Sequence, residues 1–278
     1  MYVSICPQDG LVFLNPRWSK ADYNHFYAQE YDQWFRPEEF HRDVTDEVKY
    51  GRIRTVWKRL AMYPQPIHSV LDIGCGKGHS LEYIAKERPG VVSAGIEMSS
   101  DAIAHLRNGV GAEVLSTDVD ADWHIGHAGR FDLVILRHVL EHFLDPVAAL
   151  TKIRSVLSAN GRIYIAVPDT MHPNRSLDSE FRVVHTYFFN ETTLASVASR
   201  AGLVPAAIRS EQSEVWGLFT AAPQAAASMG PSTYQQQIKV IHALRRREFL
   251  KDVLAYLPRR LPKSLRNLVP DRLKAWAR

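Results

Sequence analysis

From Ser69 onward, short apolar runs alternate with stretches whose apolar residues recur at helical spacing. "SVLDI", "VVSAGI", "AEVLS", "FDLVIL" and "RIYIAV" have the length and β-branched content of buried strands. Between them, helices are predicted over about Gly78 to Lys86, Ser99 to Asn108 and Asp145 to Leu157. Such alternation is the signature of a parallel sheet with helices on both faces, because each parallel crossover needs a helix-length connection. Beyond it a helix is expected from about Glu191 to Ala201, then "LVPAAIR" and "EVWGLFTAA" as two paired strands.

The flanks break this pattern. Residues 1–50 are aromatic-rich, and "FYAQEYDQWFRPEEF" reads as short helix and loop, a cap with Tyr23, Phe26, Tyr27, Tyr31 and Trp34 over a binding mouth or packed as an aromatic stripe. "APQAAASMGPST" has few large apolar residues and reads as a linker. The expected organisation is a cap segment over 1–50, an α/β domain over 51–222, and a linker with a basic helical tail over 223–278.

Composition alone adds little: 278 residues, 46% hydrophobic and 23% charged, suit an ordinary globular chain. Charge distribution adds more. From Ile241 to Arg278 eleven Lys and Arg face Glu248, Asp252 and Asp271, so this stretch carries +8 and the overall +4 leaves residues 1–240 at −4. Leu261, Leu265, Leu268, Val269 and Trp276 would share an apolar sector if helical, with Pro262 and Pro270 breaking it into pieces. Basic amphipathic pieces fit peripheral contact with an anionic membrane face, and packing on a partner subunit in an oligomer would select the same pattern. Nucleic acid is disfavoured, since no reading module accompanies the charge. No apolar run reaches the roughly 18 residues of a membrane span, "MYVSICPQDG" lacks a signal-peptide pattern, and two cysteines make no disulfide framework. A cytoplasmic setting is the expectation.

The chemistry concentrates at strand ends. "VLDIGCGKGHS" runs from a buried strand into Gly74, Gly76 and Gly78, a Gly-x-Gly-x-Gly turn with Asp72 two residues ahead. A nicotinamide fingerprint would read Gly-x-Gly-x-x-Gly, and His79 stands where its last glycine would be. "AGIEMS" ends the second strand with Glu97, whose carboxylate could accept two ribose hydroxyls, and "STDVDAD" places Asp118 after the third. Taken singly, Asp72 could only cap its turn, Glu97 could be a helix N-terminal charge, and Asp118 a loop acid.

Asp72 to Gly78, followed in order by Glu97 and Asp118, resembles the class I S-adenosylmethionine-dependent methyltransferases. The resemblance covers roughly residues 50–222 and implies a Rossmann-like, mostly parallel seven-stranded sheet sandwiched by helices. It also implies S-adenosyl-L-methionine as cofactor, held by Asp72, Gly74, Cys75, Gly76 and Gly78, by Glu97 and Met98, by Asp118 and Val119 at the adenine, and by Arg137. Nearby carboxylates suit a sulfonium that also carries an ammonium group.

"FDLVILRHVLEHFLDP" is similar to the family's segment after the fourth strand, often ending in Leu-Glu-His. Methyl transfer to a hydroxyl wants an aligned site and a proton acceptor, so His138 and His142, at helical i to i+4 spacing, are candidate bases. His142 could equally anchor its helix. "HVLEH" is not the zinc-protease His-Glu-x-x-His, and no metal is assigned. "HTYFFNETTLASVASRAGL" is similar to a stretch in small-molecule and sugar-modifying methyltransferases and adds His185 as a third candidate, with Asn190 as a helix cap. The preceding loop, with Asp169, Asn174, Arg175, Asp178 and Arg182, has sugar-like hydrogen-bonding chemistry. "CPQDGLVFLNPR" is similar to a segment that in relatives follows a zinc knuckle; here Asp9 stands at a cysteine position, and one thiolate with one carboxylate does not close a structural zinc site.

These features predict an O-methyltransferase of a sugar, nucleotide-sugar or glycan end, as in surface polysaccharide biosynthesis. The alternatives are another small metabolite or a lipid-quinone phenol as acceptor, and a catalytically silent cofactor-binding subunit. A nicotinamide dehydrogenase is disfavoured by His79 and the acidic residues.

Overall fold

Each apolar run predicted as a strand forms one. The computed structural model describes residues 1–35, 45–222 and 231–260, so the tail beyond Arg260 and most of the expected linker lie outside the described residues. The strands are β1 (Tyr2–Ile5), β2 (Val12–Asn15), β3 (Ser69–Ile73), β4 (Val92–Ile96), β5 (Glu113–Ser116), β6 (Phe131–Arg137), β7 (Leu157–Pro168), β8 (Tyr187–Phe188), β9 (Leu203–Glu211) and β10 (Glu214–Ala221). Seven of them form one sheet in the order β5-β4-β3-β6-β7-β10-β9. The first five of that order run parallel, and β10 is antiparallel to both β7 and β9. The seven-stranded, mostly parallel sheet expected from sequence is present.

Parity along the strands separates two apolar layers. On β6, Val134 and Leu136 belong to one layer, while Leu133 and Ile135 belong to the other. Because successive side chains point to opposite faces, a run apolar at every position is what a sheet covered on both sides requires. The β9–β10 pairing expected from sequence closes through a two-residue turn, with Gln212 and Ser213 both left-handed.

Two features were not anticipated. The first is a small sheet, β1-β2-β8, which ties the amino-terminal hairpin to the segment before the helix Glu191–Arg200. The second is the helix Asp46–Leu60, running across the boundary expected at residue 50 and packing Tyr50, Ile53, Val56 and Leu60 into the layer with Leu133 and Trp216. The helix Tyr234–Arg260 docks by its first turn: buried Gln237 accepts from the Thr170 hydroxyl at 2.9 Å and donates to the Thr170 carbonyl at 3.1 Å. Among the described residues, no helix is long and apolar enough to cross a membrane.

One buried ion pair binds the Asp46–Leu60 helix to the antiparallel edge. Arg59 donates to Glu214 and to the Tyr164 hydroxyl, each at 2.6 Å, and its guanidinium lies 4.9 Å from the Trp216 ring. Removing one partner of such a pair strands the other in a poorly solvated site. Arg59→Ala is expected to lower unfolding free energy by about 3 kcal/mol, read as a lower urea midpoint at unchanged slope.

Candidate active site

The sheet's carboxyl edge gathers the acidic residues. β3 ends at Ile73 and the chain turns through Gly74 at φ 67°. An added Cβ at Gly74 would lie 2.5 Å from the Val139 side chain, so both space and backbone require glycine there. Gly78, at φ 72°, opens the helix His79–Glu87, and its own added Cβ would strike Leu106 at 2.3 Å.

Glu97 fixes the shape of this loop from the neighbouring strand. Its carboxylate accepts from the Gly76 amide at 2.6 Å and from the Met98 and Ser99 amides at 3.0 Å each. Asp72, 4% exposed, has no comparable set of amides. Burial, reinforced by the charge of Glu97, outweighs a Ser80 hydrogen bond and the more distant Arg137 and pushes its carboxyl up to about 7.

Beside these acids lies a cavity of about 70 Å³, lined by Gly74, Glu97, Met98 and Val119 of the predicted set, with Ser99 and Phe143. Tyr23, Tyr27 and Tyr31 wall it from the amino-terminal cap. These three tyrosines do cover the mouth as expected; Phe26 instead stacks on Trp18 at 5.3 Å, and Trp34 points to solvent. Other predicted contacts stand back from the cavity. Cys75 packs in the layer with Leu133, and Gly76 and Gly78 shape the loop. The Asp118 carboxylate accepts from the Asp120 amide at 2.8 Å, bracing its own turn. Arg137 faces a second cavity, 3.6 Å from Glu214.

The segment after β6 departs from expectation. The i to i+4 spacing would put His138 and His142 on one face of a helix, but His138 is left-handed at φ 54° and only Leu140–His142 forms a 3₁₀ turn. The His138 amide still extends the sheet ladder, donating to Ala166 at 2.8 Å, and the reversal begins there. Both histidines nonetheless line the first cavity, and His138 also lines the second, of about 310 Å³, which is lined by Arg52, Arg59, Arg137 and Arg175 as well.

The His138 ring sits between two carboxylates, with Nε2 at 2.9 Å from Glu214 and Nδ1 at 3.6 Å from Glu141. Burial opposes its charge, but those carboxylates win and raise its pKa. His142 Nδ1 lies 2.9 Å from the Val184 carbonyl and 2.6 Å from the Tyr27 hydroxyl. His185 lies behind it with ring centroids 4.9 Å apart, lining neither cavity. Although the sequence suggested no metal, Glu141, His142 and His185 bring ligand atoms within 4.8 Å of one another, a set able to hold a cation. Glu214 escaped sequence reasoning. Its only signal is one acid opening an otherwise apolar strand.

A glycine turn without side-chain bulk, buried acids that gain from a cation, and an apolar wall fit S-adenosylmethionine, and fold and site together define a methyltransferase domain. A family model described as a methyltransferase domain matches residues 40–207, more than half of the chain, and the chain belongs to that family. It is similar to the ubiquinone biosynthesis O-methyltransferase of Haemophilus ducreyi, 28% identical over 124 residues covering 41% of this chain and 49% of that protein. The one of Thiobacillus denitrificans is 27% identical over 192 residues, covering 62% and 78%. The chain thus spans about half the length of the first of these relatives. Among solved structures, a Pyrococcus horikoshii protein is similar with TM-score 0.54 and 20% identity, covering 69% of this chain and 99% of that one. Magnesium protoporphyrin IX methyltransferase from Synechocystis, with S-adenosylhomocysteine bound, gives 0.51 and 16%, covering 72% and 98%.

The Asp72 carboxyl supplies a pH test. Its raised pKa means that the folded protein without cofactor favours the protonated form, whereas a cationic cofactor favours the ionised one. Cofactor affinity should therefore rise with pH through about 7, with proton release on binding. Calorimetry in buffers of different ionisation enthalpy checks this; Asp72→Asn should flatten the profile and weaken binding on the order of tenfold or more.

Proposed function

We propose that the chain methylates a hydroxyl on an aromatic ring, of the lipid-quinone phenol kind, and not the sugar or glycan hydroxyl suggested by its sequence motifs. The aromatic wall carries this reading. Tyr27 and Tyr31 stack at 4.9 Å and 29° beside His138 and His142, a flat apolar surface matched to a planar ring. Part of the loop that suggested sugar chemistry is bonded within itself. Asp169 accepts from the Met171 amide at 2.8 Å and contacts His172 at 2.8 Å, while the Asn174 and Arg175 amides both donate to Glu180. The names of the curated relatives support the same acceptor class. A prenylated acceptor would also give the basic tail an anionic membrane surface to lie against.

In this reading Asp72, Glu97 and the Gly74 turn hold the cofactor, which supplies an electrophilic methyl group. The tyrosine wall orients the acceptor and excludes water, and alignment of oxygen with methyl carbon lowers the barrier. His138 and His142 line the cavity and are placed to receive the hydroxyl proton, and His185, which lines neither cavity, acts through His142.

Thermal shifts with S-adenosylhomocysteine and NAD, followed by turnover on catechol-type phenols and on sugars and nucleotide sugars, test the proposal. S-adenosylhomocysteine should stabilise the protein, and phenols should be methylated at least tenfold faster than any sugar. Turnover confined to sugars would restore the sugar acceptor. Cofactor binding without turnover on either class would favour a silent binding subunit.

A further inference from the structure

Glu141 is a buried carboxylate whose hydrogen-bonding capacity is unmet. It is 1% exposed, and neither carboxylate oxygen has a hydrogen-bond partner. A buried carboxylate normally accepts several hydrogen bonds, because desolvation without them costs several kcal/mol. The imidazole nitrogens beside it, His138 Nδ1 at 3.6 Å and His142 Nε2 at 4.0 Å, are too far for hydrogen bonds. His185, 8% exposed, presents a second orphan in its partnerless Nδ1.

We propose that Glu141, His142 and His185 form a binding site for one divalent transition-metal cation, set behind the cofactor pocket. A carboxylate and two imidazoles are the donor set such ions favour over magnesium or calcium. Three ligands about 2.0–2.2 Å from a common ion stand about 3.3–3.8 Å apart in tetrahedral or trigonal geometry, so the observed spread, within 4.8 Å, closes by up to about 1 Å on binding. The surroundings set the tautomer of His142. The Val184 carbonyl 2.9 Å from Nδ1 can only accept, so we assign the ring proton to Nδ1 and the lone pair to Nε2, on the Glu141 side. A backbone carbonyl holding Nδ1–H is the usual support for a metal-ligating histidine.

Three protein ligands leave coordination positions open, and His142 itself lines the cofactor pocket. A cation there would lower the proton affinity of an acceptor hydroxyl, a role that rests on the acceptor reading above, although binding itself does not. The acceptor oxygen, giving its proton to His138, would bond to the methyl carbon and displace the thioether with the electron pair of the carbon–sulfur bond.

Chelator-treated full-length protein should be titrated with Co²⁺, read by visible absorption, and with Zn²⁺, read by calorimetry. One equivalent per chain is expected, weakened at least tenfold in both Glu141→Gln and His185→Ala and unchanged in His172→Ala at the surface. A retained thermal shift with S-adenosylhomocysteine would show that each variant folds. Should Glu141→Gln fail to fold, loss of the Zn²⁺ thermal shift in His185→Ala carries the test. Absence of stoichiometric binding, or equal affinity in wild type and variants, would overturn the site and leave a structural Glu–His cluster. Metal bound in the pocket without phenol methylation would overturn the acceptor reading and leave the site standing. Full phenol turnover by metal-free protein would overturn its catalytic role.

Discussion

Two carboxylates buried at the ends of neighbouring parallel strands set the terms for the rest of the site. Glu97 is satisfied by three backbone amides, one from the glycine turn and two from the chain just after β4. That geometry needs the turn to approach closely, which is why the glycines sit where they do. Asp72 has no such set, and its carboxyl protonates near neutrality. The protein without cofactor therefore carries a charge deficit that a cation relieves. Substituting the acid would ease folding and weaken the reason for binding, the usual opposition between stability and function at a prepared site.

A second layer of charge lies one strand further along. Glu214, at the start of β10, holds Arg59 at 2.6 Å and His138 at 2.9 Å. Through it the antiparallel edge, the Asp46–Leu60 helix and the end of β6 become one unit. His138 adopts a left-handed backbone there, a cost of order 1 kcal/mol or more that surrounding contacts must offset. Its amide continues the ladder to Ala166 while its ring bridges Glu214 and Glu141. The residue is thereby fixed where the two cavities meet.

The sheet was legible because both its faces are covered, so strands such as "FDLVIL" are apolar throughout and cannot be confused with loops. The glycine turn, Glu97 and the tyrosine cap were legible for a similar reason, since each is written in a short contiguous stretch. What resisted reading depends on distance or on one backbone angle. The i to i+4 spacing of His138 and His142 implied a shared helix, and a single positive φ at His138 removed it. The composition of the polar loop after β7 suggests sugar chemistry, and it cannot show that Asp169 and Glu180 accept hydrogen bonds within their own turns. Glu141 and His185 are far apart in sequence, and only the return of the chain through β8 brings them together.

The amino-terminal cap belongs to the chemistry as much as to the fold. The Tyr27 hydroxyl lies 2.6 Å from His142 Nδ1 and donates to the Val184 carbonyl at 3.2 Å, while Trp18 donates to the Val183 carbonyl at 3.0 Å. The cap is thus pinned to the two segments that carry His142 and His185. Moving the tyrosine wall would therefore disturb the contact at the His142 ring. A segment that looks in sequence like an appendage to the methyltransferase domain is in space part of the pocket wall and a neighbour of the Glu141 cluster.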